Sequence, residues 1–512
     1  MKKSFGVLLL IAGASTNLQA DCDCKVSSHT FFSVRPLYQS ASPERVSLFH
    51  DPMVREEGRG GNFELTFLGG KSTRNKGLAR FFTPFCKDSL LVLENPTAGT
   101  PDLIAQNFNI DTVNGTFQSN IQFKMHESVF AIGLTYRQSF GGRFSDEEGN
   151  RRLWVEISSP VTRVHNTVIL EEQIVNNGGG AAVITGLPAG QVIVDSMTAA
   201  FNQSDWLYGK IDPTHKLTKW RLADIEAKIG YEWMSGEQCG VESYVGVLIP
   251  TGNRPKAEYI FEPIVGHNKH VGIMWGNSAY YKLCETNCWN IDIYADTCAK
   301  YLFRRNETRS FDLKNKPWSR YIELYANFAQ AQQANALAVA GNIAAAATLS
   351  TPGINLLTQD LKVTPRFSYT VNCAVAAKSQ RCDLELGWNF FAREAECVRL
   401  ANAFTPAFAM KSPLGAGATM PVRTINNNFL AANQLAFSAA NFSTSLIQES
   451  DLDLESAAHP AVLSNSIYGA AGYRWDDRCY PMFAGFGGNY EFGKDNSVLN
   501  RWTVWGKCGV SF

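Results

Sequence analysis

The chain has 512 residues with 47 basic and 47 acidic side chains, so no net field argues for nucleic acid or an acidic partner. Charged residues make up 18%, below the roughly one quarter typical of soluble domains, yet mean hydropathy is slightly negative, which excludes a bundle of membrane helices. Membrane-spanning strands escape that exclusion because only every second residue faces lipid, and 12% aromatics with 41 glycines suit such strands and their turns.

In chain order, Met1 to Ala20 reads MKKSFGVLLLIAGASTNLQA. A positive start, an apolar run too short to span a bilayer and a small-residue end predict a signal peptide over 1–20. A lipid-modified cysteine is disfavoured because Asp21 precedes Cys22. Residues 21–60 carry three prolines and the mixed-charge run Arg55 to Arg59; they read as an N-terminal leader or lumenal segment. Residues 61–512 read as the barrel.

The alternation of Phe63, Leu65 and Phe67 predicts the first strand, and Gly77 to Glu94 is a weak strand broken by Pro84. Thr116 to Phe140 reads as two strands with a turn at His126-Glu127. Leu153, Val155 and Ile157 then alternate until Pro160. The pattern lapses over an insert at 171–217, with a short helix expected near Ser196 to Leu207. Leu222 to Trp233 restores it: Ile225, Ala227, Ile229, Tyr231 and Trp233 face one way, and Asp224, Glu226, Lys228 and Glu232 the other. Apolar to lipid, charged to a wet lumen and aromatic at the interface is a barrel-strand pattern. It repeats over 239–249, 269–283, 289–303, 363–378, 383–392, 464–475 and 481–492. The lumen-facing set so predicted is Asp224, Glu226, Lys228, Glu232, Glu242, Asp292, Asp296, Lys300 and Glu385. Two further inserts, 304–362 and 393–463, contain uncharged runs at 324–359 and 424–448. Ala favours helix, so both are expected to be helical and to lie over the barrel mouth or in its lumen.

The last stretch reads RWTVWGKCGVSF. Trp502, Val504, Gly506, Cys508, Val510 and Phe512 share one face, and polar or small residues fill most of the other. Here the chain resembles the Gram-negative outer-membrane β-barrel proteins, whose final strand ends in an aromatic residue that the insertion machinery reads. The resemblance implies an assembly signal at Phe512, Val510 and Trp502, an outer-membrane location, and lipid and the barrel-assembly machinery as partners. The expected fold is therefore all-β: a transmembrane antiparallel up-and-down barrel of roughly 14 strands (12–16), with helical inserts. Placing Phe512 in the periplasm sorts the connections after 219 into short inside and long outside ones. Upstream, the turn at 126–127 lands on the wrong side.

All 12 cysteines lie after residue 20. Cys284 and Cys288 bracket a tight turn and are the best candidates for a disulfide in an oxidising compartment. No motif of a nucleophile elbow, P-loop or zinc protease is present, and no cofactor is implied, so the chain reads as a non-enzyme. His267-Asn268-Lys269-His270 has metal-like spacing without a nearby carboxylate or thiol. His459, close to Asp451 and Asp453, is a weak hydrolase candidate. What remains is a pore or uptake channel for small solutes or hydrophobic compounds. The alternatives are a structural or adhesive surface barrel and, further off, a barrel hydrolase. In size the chain is similar to the fatty-acid transporter type of channel, whose N-terminal hatch motif is not evident here. A soluble secreted β-protein is the rival class.

Overall fold

The computed structural model describes residues 28–37, 60–73, 77–94, 102–140, 152–183, 193–325 apart from 237, 287 and 315, isolated positions between 330 and 347, 348–404 apart from 380, the short pieces 409–410, 421–422 and 435–436, and 447–512 apart from 476–478 and 494–496. The segment expected to be a signal peptide lies outside these residues. So does most of 424–448, of which Leu435–Ala436 pairs antiparallel with Pro421–Val422.

Twelve strands close a barrel: β1 (Gly60–Ser72), β2 (Gln118–Phe140), β3 (Arg152–Asn176), β4 (Ile225–Ser235), β5 (Cys239–Ile249), β6 (Gly272–Glu285), β7 (Asn290–Leu302), β8 (Arg366–Lys378), β9 (Cys382–Arg393), β10 (Val462–Trp475), β11 (Met482–Phe492) and β12 (Arg501–Ser511). Each pairs antiparallel with its neighbours in sequence, and β1 pairs with β12 from Asn62↔Ser511 to Ser72↔Arg501, which leaves no open edge. Closure at 12 is the low end of the expected range. The difference from 14 has a physical cause in β2 and β3.

His126 and Glu127 are not a turn. They sit inside β2, opposite Thr167 and Asn166 of β3, in a ladder that runs unbroken to Phe140↔Leu153. What changes there is the side of the strand that is apolar. Before it, the inward residues Ile121, Phe123 and Met125 are the apolar ones, each 1% exposed or less; after it, the outward residues Phe130 (39%) and Leu134 (48%) are. β3 makes the same exchange, from outward Ile157 and Val161 to inward Val164 and Val168. A strand that leaves lipid and enters a water-exposed domain must exchange its apolar face, because its inside becomes a core and its outside meets water. Pro160 sits where β3 changes partner from β4 to the short strand Leu217–Leu222, so its missing N–H interrupts little of the ladder.

With β2 continuous, one barrel end carries only the short connections 141–151, 236–238, 286–289, 379–381 and 476–481. The other end carries 73–117, 177–224, 250–271, 303–365, 394–461 and 493–500. The long connections build a cap with its own apolar core. Trp318 is fully buried at its centre, ringed by Phe82, Phe108, Phe123, Phe201 and Tyr321 at 5.1–6.0 Å between centroids. Its Nε1–H donates to the Phe82 carbonyl at 2.8 Å. Residues 77–94, expected to be a weak strand, form the helix Gly77–Phe82, a 3-10 turn at Pro84–Cys86 and the strand Leu90–Leu93. The expected helix after Ser196 is one turn, Met197–Ala200, with Ser196 as its N-cap. In the Ala-rich run, the described positions Ala336, Leu337 and Ala345 are helical.

The outer wall is apolar between two aromatic girdles. Toward the cap, Trp275, Tyr301, Phe303, Phe367 and Tyr369 contact one another ring to ring, as do Trp388–Phe390 and Tyr490–Phe492. Toward the short turns, Tyr231–Trp233, Tyr473–Trp475 and Tyr136–Phe512 do the same. Between them Val245, Val375, Leu386, Ile467, Phe486 and Val504 are about half exposed or more. A continuous apolar belt of this extent is not tolerated in water. The fold is a transmembrane β-barrel, with lipid as the outward solvent.

Candidate functional site

The interior of the barrel is the candidate site. It is lined with charge because each β-strand turns every second residue inward. All nine predicted lumen residues point inside, and each has a partner. Arg137 lies 2.6 Å from Glu242 and 3.6 Å from Glu232, with its guanidinium 3.9 Å over the Trp154 ring. Lys228 bonds Glu156 and Lys300 bonds Glu226, both at 2.8 Å. Asp224 accepts from the His267 amide at 2.6 Å and contacts its Nδ1 at 2.8 Å. Asp292 lies 3.4 Å from Lys378. Ser278 Oγ donates to Asp296 at 2.9 Å, and Tyr468 Oη donates to Glu385 at 2.7 Å. Low local dielectric makes such pairs costly to break singly.

Sequence reasoning missed Glu64, Glu127, Glu156, Asp383, Glu491, Arg501 and Lys507, which face the same interior. Arg501 Nε donates to Glu491 at 2.6 Å and Arg501 Nη1 lies 3.4 Å from Glu127. Arg474 reaches Asp383 at 3.0 Å, and Lys507 reaches Glu64 at 3.5 Å. The parity rule that found the first nine finds these too: Glu127 and Glu156 once β2 and β3 are given their true lengths, and Glu64, Asp383, Glu491, Arg501 and Lys507 on the face opposite the outward apolar residues of strands the pattern already marked.

A second element fills the site. Residues 28–37 form an extended strap that runs from the cap into the barrel. Its start is fixed in the cap: Ser28 Oγ donates to Asp312 at 2.6 Å, Thr30 Oγ1 donates to the Ser310 carbonyl at 2.6 Å, and the Thr30 amide donates to the Ser456 carbonyl at 2.8 Å. Arg309 stacks 3.4 Å above the Phe31 ring, and Phe32 enters the cap core. Further along, the Ser33 carbonyl accepts from Arg393 at 2.9 Å. Arg35 donates to Asn389 at 2.8 Å and lies 3.5 Å from Glu491. Leu37 then packs against Leu68, Ala131, Ala374, Tyr468 and Trp505, inward residues of five different strands. Gly70 permits this approach, since a Cβ there would lie 2.7 Å from Leu37 Cδ1. Beside the strap a cavity of about 50 Å³ remains, lined by Arg35, His267, His270, Lys300, Arg393 and Glu396 among others. That is room for a few waters. Of the leader, residues 28–37 thus run from the cap to the inward face of the strands.

The strands flanking the Ala-rich run, Glu323–Tyr325 and Ser350–Pro352, pair within the cap; most of that run and of 424–448, where helices over the mouth or in the lumen are expected, lies outside the described residues. The two histidines with metal-like spacing serve different carboxylates: His267 turns to Asp224, while His270 Nε2 contacts Glu307 at 2.5 Å. Among the described residues, no three His, Cys, Asp or Glu gather as a metal group. His459 does not meet Asp451 or Asp453. Its amide donates to Glu396 at 2.9 Å, its Nδ1 contacts the Pro460 carbonyl at 2.7 Å, and its Nε2 accepts from Arg393 at 2.7 Å. Burial and the Arg393 charge hold its pKa well below 6.5. Burial pushes Glu396 up, but Arg309 outweighs it and holds the carboxyl below its ordinary value. His29, on the strap, contacts the Ala458 carbonyl through Nδ1 at 2.8 Å, and burial lowers it too. This arrangement ties strap to cap.

Cys284 and Cys288, the expected bridge, are both free thiols. The β6–β7 register sets Ile291, not a cysteine, across from Cys284. Cys86 is disulfide-bonded.

At the end of the chain, Phe512 completes the β1 ladder. Its amide donates to the Gly61 carbonyl at 2.9 Å and its carbonyl accepts from the Gly61 amide at 2.8 Å. Trp502 and Val504 face outward with it, while Trp505 and Lys507 face in.

No protein-family model and no curated protein matches the chain. Among solved structures it is similar to an outer membrane channel from Pseudomonas putida F1, at 8% identity over 90% of this chain and 98% of that one, with a TM-score of 0.38. It is similar also to a FadL homologue of Pseudomonas aeruginosa (8%, 89% and 90%, TM-score 0.28) and to the monoaromatic hydrocarbon channel TodX, in a deltaS2 mutant (8%, 89% and 90%, TM-score 0.29). Likeness of this degree assigns no function; the barrel assignment stands on the closed ladder and its girdled wall.

Proposed function

We propose that this chain is an outer-membrane channel for small solutes, held closed by its own N-terminal strap. The observation that carries this is the strap itself. A barrel wall lined with water-compatible charge contains, among the described residues, an extended segment that is not part of the wall. A barrel built only as a surface scaffold gains nothing from an interior that a segment can vacate. The short-turn end faces the periplasm and the cap faces outward, as the asymmetry of connections in such barrels dictates. Withdrawal of residues 28–37 opens a passage lined by both signs of charge, which suits polar solutes and gives weak ion selectivity.

Liposome swelling tests this with a size series of sugars. Full-length protein admits little, and a variant lacking residues 28–37 admits sugars up to a sharp size limit. Equal, negligible swelling by both, with each barrel shown to be inserted, favours the adhesive alternative.

A further inference from the structure

Among the described residues, five of ten cysteines gather at one end of the barrel. Cys239 opens β5, Cys284 is the penultimate residue of β6, Cys288 lies in the turn that follows, and Cys382 opens β9. All four are free thiols at the short-turn end, and Cys284, Cys288 and Cys382 are exposed. Cys479, in the turn after β10, is exposed on the same rim. Four of the five short connections therefore carry a thiol in the turn or at a strand end beside it. By the girdle positions these thiols lie at or beyond the Trp233, Tyr473 and Trp475 level, in water rather than in lipid.

We propose that this rim is a disulfide-forming surface that joins neighbouring copies of the same chain. The proposal rests on the outer-membrane reading, because the periplasm is an oxidising compartment in which exposed thiols are driven to pair. Pairing across the barrel's own ladder is blocked by register. Cys239 lies opposite Tyr281, Cys284 opposite Ile291 and Cys382 opposite Tyr473. A disulfide needs Cα atoms within about 7 Å, and none of these cysteines faces another. A second copy supplies what the first lacks. Two barrels in one bilayer share orientation and depth, so their rims lie in one plane, and where their walls touch along the arc from β5 to β11 the rim thiols lie at equal height. Several thiols per copy allow chains of copies as well as pairs. In each linkage two S–H bonds break and one S–S bond forms. The two protons and two electrons pass to the active-site disulfide of an envelope thiol oxidase, whose S–S bond breaks as it is reduced to its dithiol.

The test uses the full chain expressed in cells whose thiols are blocked with N-ethylmaleimide before lysis. Non-reducing electrophoresis shows multiples of the monomer band that collapse to monomer with dithiothreitol, and mass spectrometry finds like-with-like peptides such as Cys382 joined to Cys382. The combined variant C239S, C284S, C288S, C382S and C479S runs as monomer only, while Cys298→Ser, inside the barrel, keeps the ladder. Single variants C284S and C382S, each reducing the ladder, guard against a combined variant that fails to assemble. Monomer alone in the unmodified chain, disulfides only within one chain, or mixed disulfides only with other proteins each overturn the proposal. Membrane fractionation and heat-shifted gel mobility of the same sample report separately on the membrane reading.

Discussion

Arg501→Met is the most informative single perturbation of the barrel interior. Arg501 is 3% exposed and serves two carboxylates, Glu491 at 2.6 Å and Glu127 at 3.4 Å. Methionine keeps much of the volume and removes the charge. Among the described residues it leaves Glu127 with no cation in contact, and leaves Glu491 with Arg35 of the strap at 3.5 Å as its remaining cation. Removing one partner of a buried pair costs ~3–5 kcal/mol, because the other charge is left uncompensated. That is roughly a hundredfold or more in the unfolding equilibrium. Urea unfolding of the detergent-folded barrel, followed by tryptophan fluorescence, reads the change. The double variant Arg501→Met, Glu491→Gln recovers part of the loss, since it removes one stranded charge. An unchanged midpoint for the single variant, or no recovery in the double, refutes the reasoning that interior pairs are desolvated.

Deleting Phe512, or replacing Gly61 with Val, lowers the yield of heat-modifiable barrel, because a Cβ at Gly61 lies 2.7 Å from the Phe512 ring and the closing ladder runs through both; normal yields of both variants contradict that account. Trp318→Ala loosens the cap by ~3–5 kcal/mol, read as faster trypsin cleavage within 303–365, while the heat shift of the barrel is unchanged. Acid loosens the strap: His29 and His459 have folded pKa values below the ordinary 6.5, so the stability they contribute is full above pH 6.5 and falls as pH drops toward their folded values. Hydrogen–deuterium exchange of the strap amides, normalised to the unstructured rate at each pH, is therefore faster at pH 5 than at pH 7.5, and His459→Gln flattens that difference.

The barrel was legible where one period-2 pattern held from end to end, as in 239–249 and 501–512. It was not legible where a strand serves two environments. β2 exchanges its apolar face near Glu127 as it passes from bilayer to cap, and a sequence pattern records that exchange as a break. The same misreading hid Glu127, Arg137 and Glu156 from the predicted lumen set. The strap was open to sequence reasoning only as a leader with two destinations. Its lodging depends on Leu37 meeting Gly70 and on Arg35 meeting Glu491, contacts between residues more than thirty positions apart with no periodicity to announce them. The Cys284–Cys288 expectation used turn length alone, and the register at Ile291 decided it.

Single-channel conductance in planar bilayers reads whether the strap closes the barrel. Full-length protein shows a closed baseline with rare openings, and the variant lacking residues 28–37 shows long-lived steps of uniform size with weak ion selectivity. A full-length protein that is already steadily open, or an inserted deletion variant that stays silent, contradicts it.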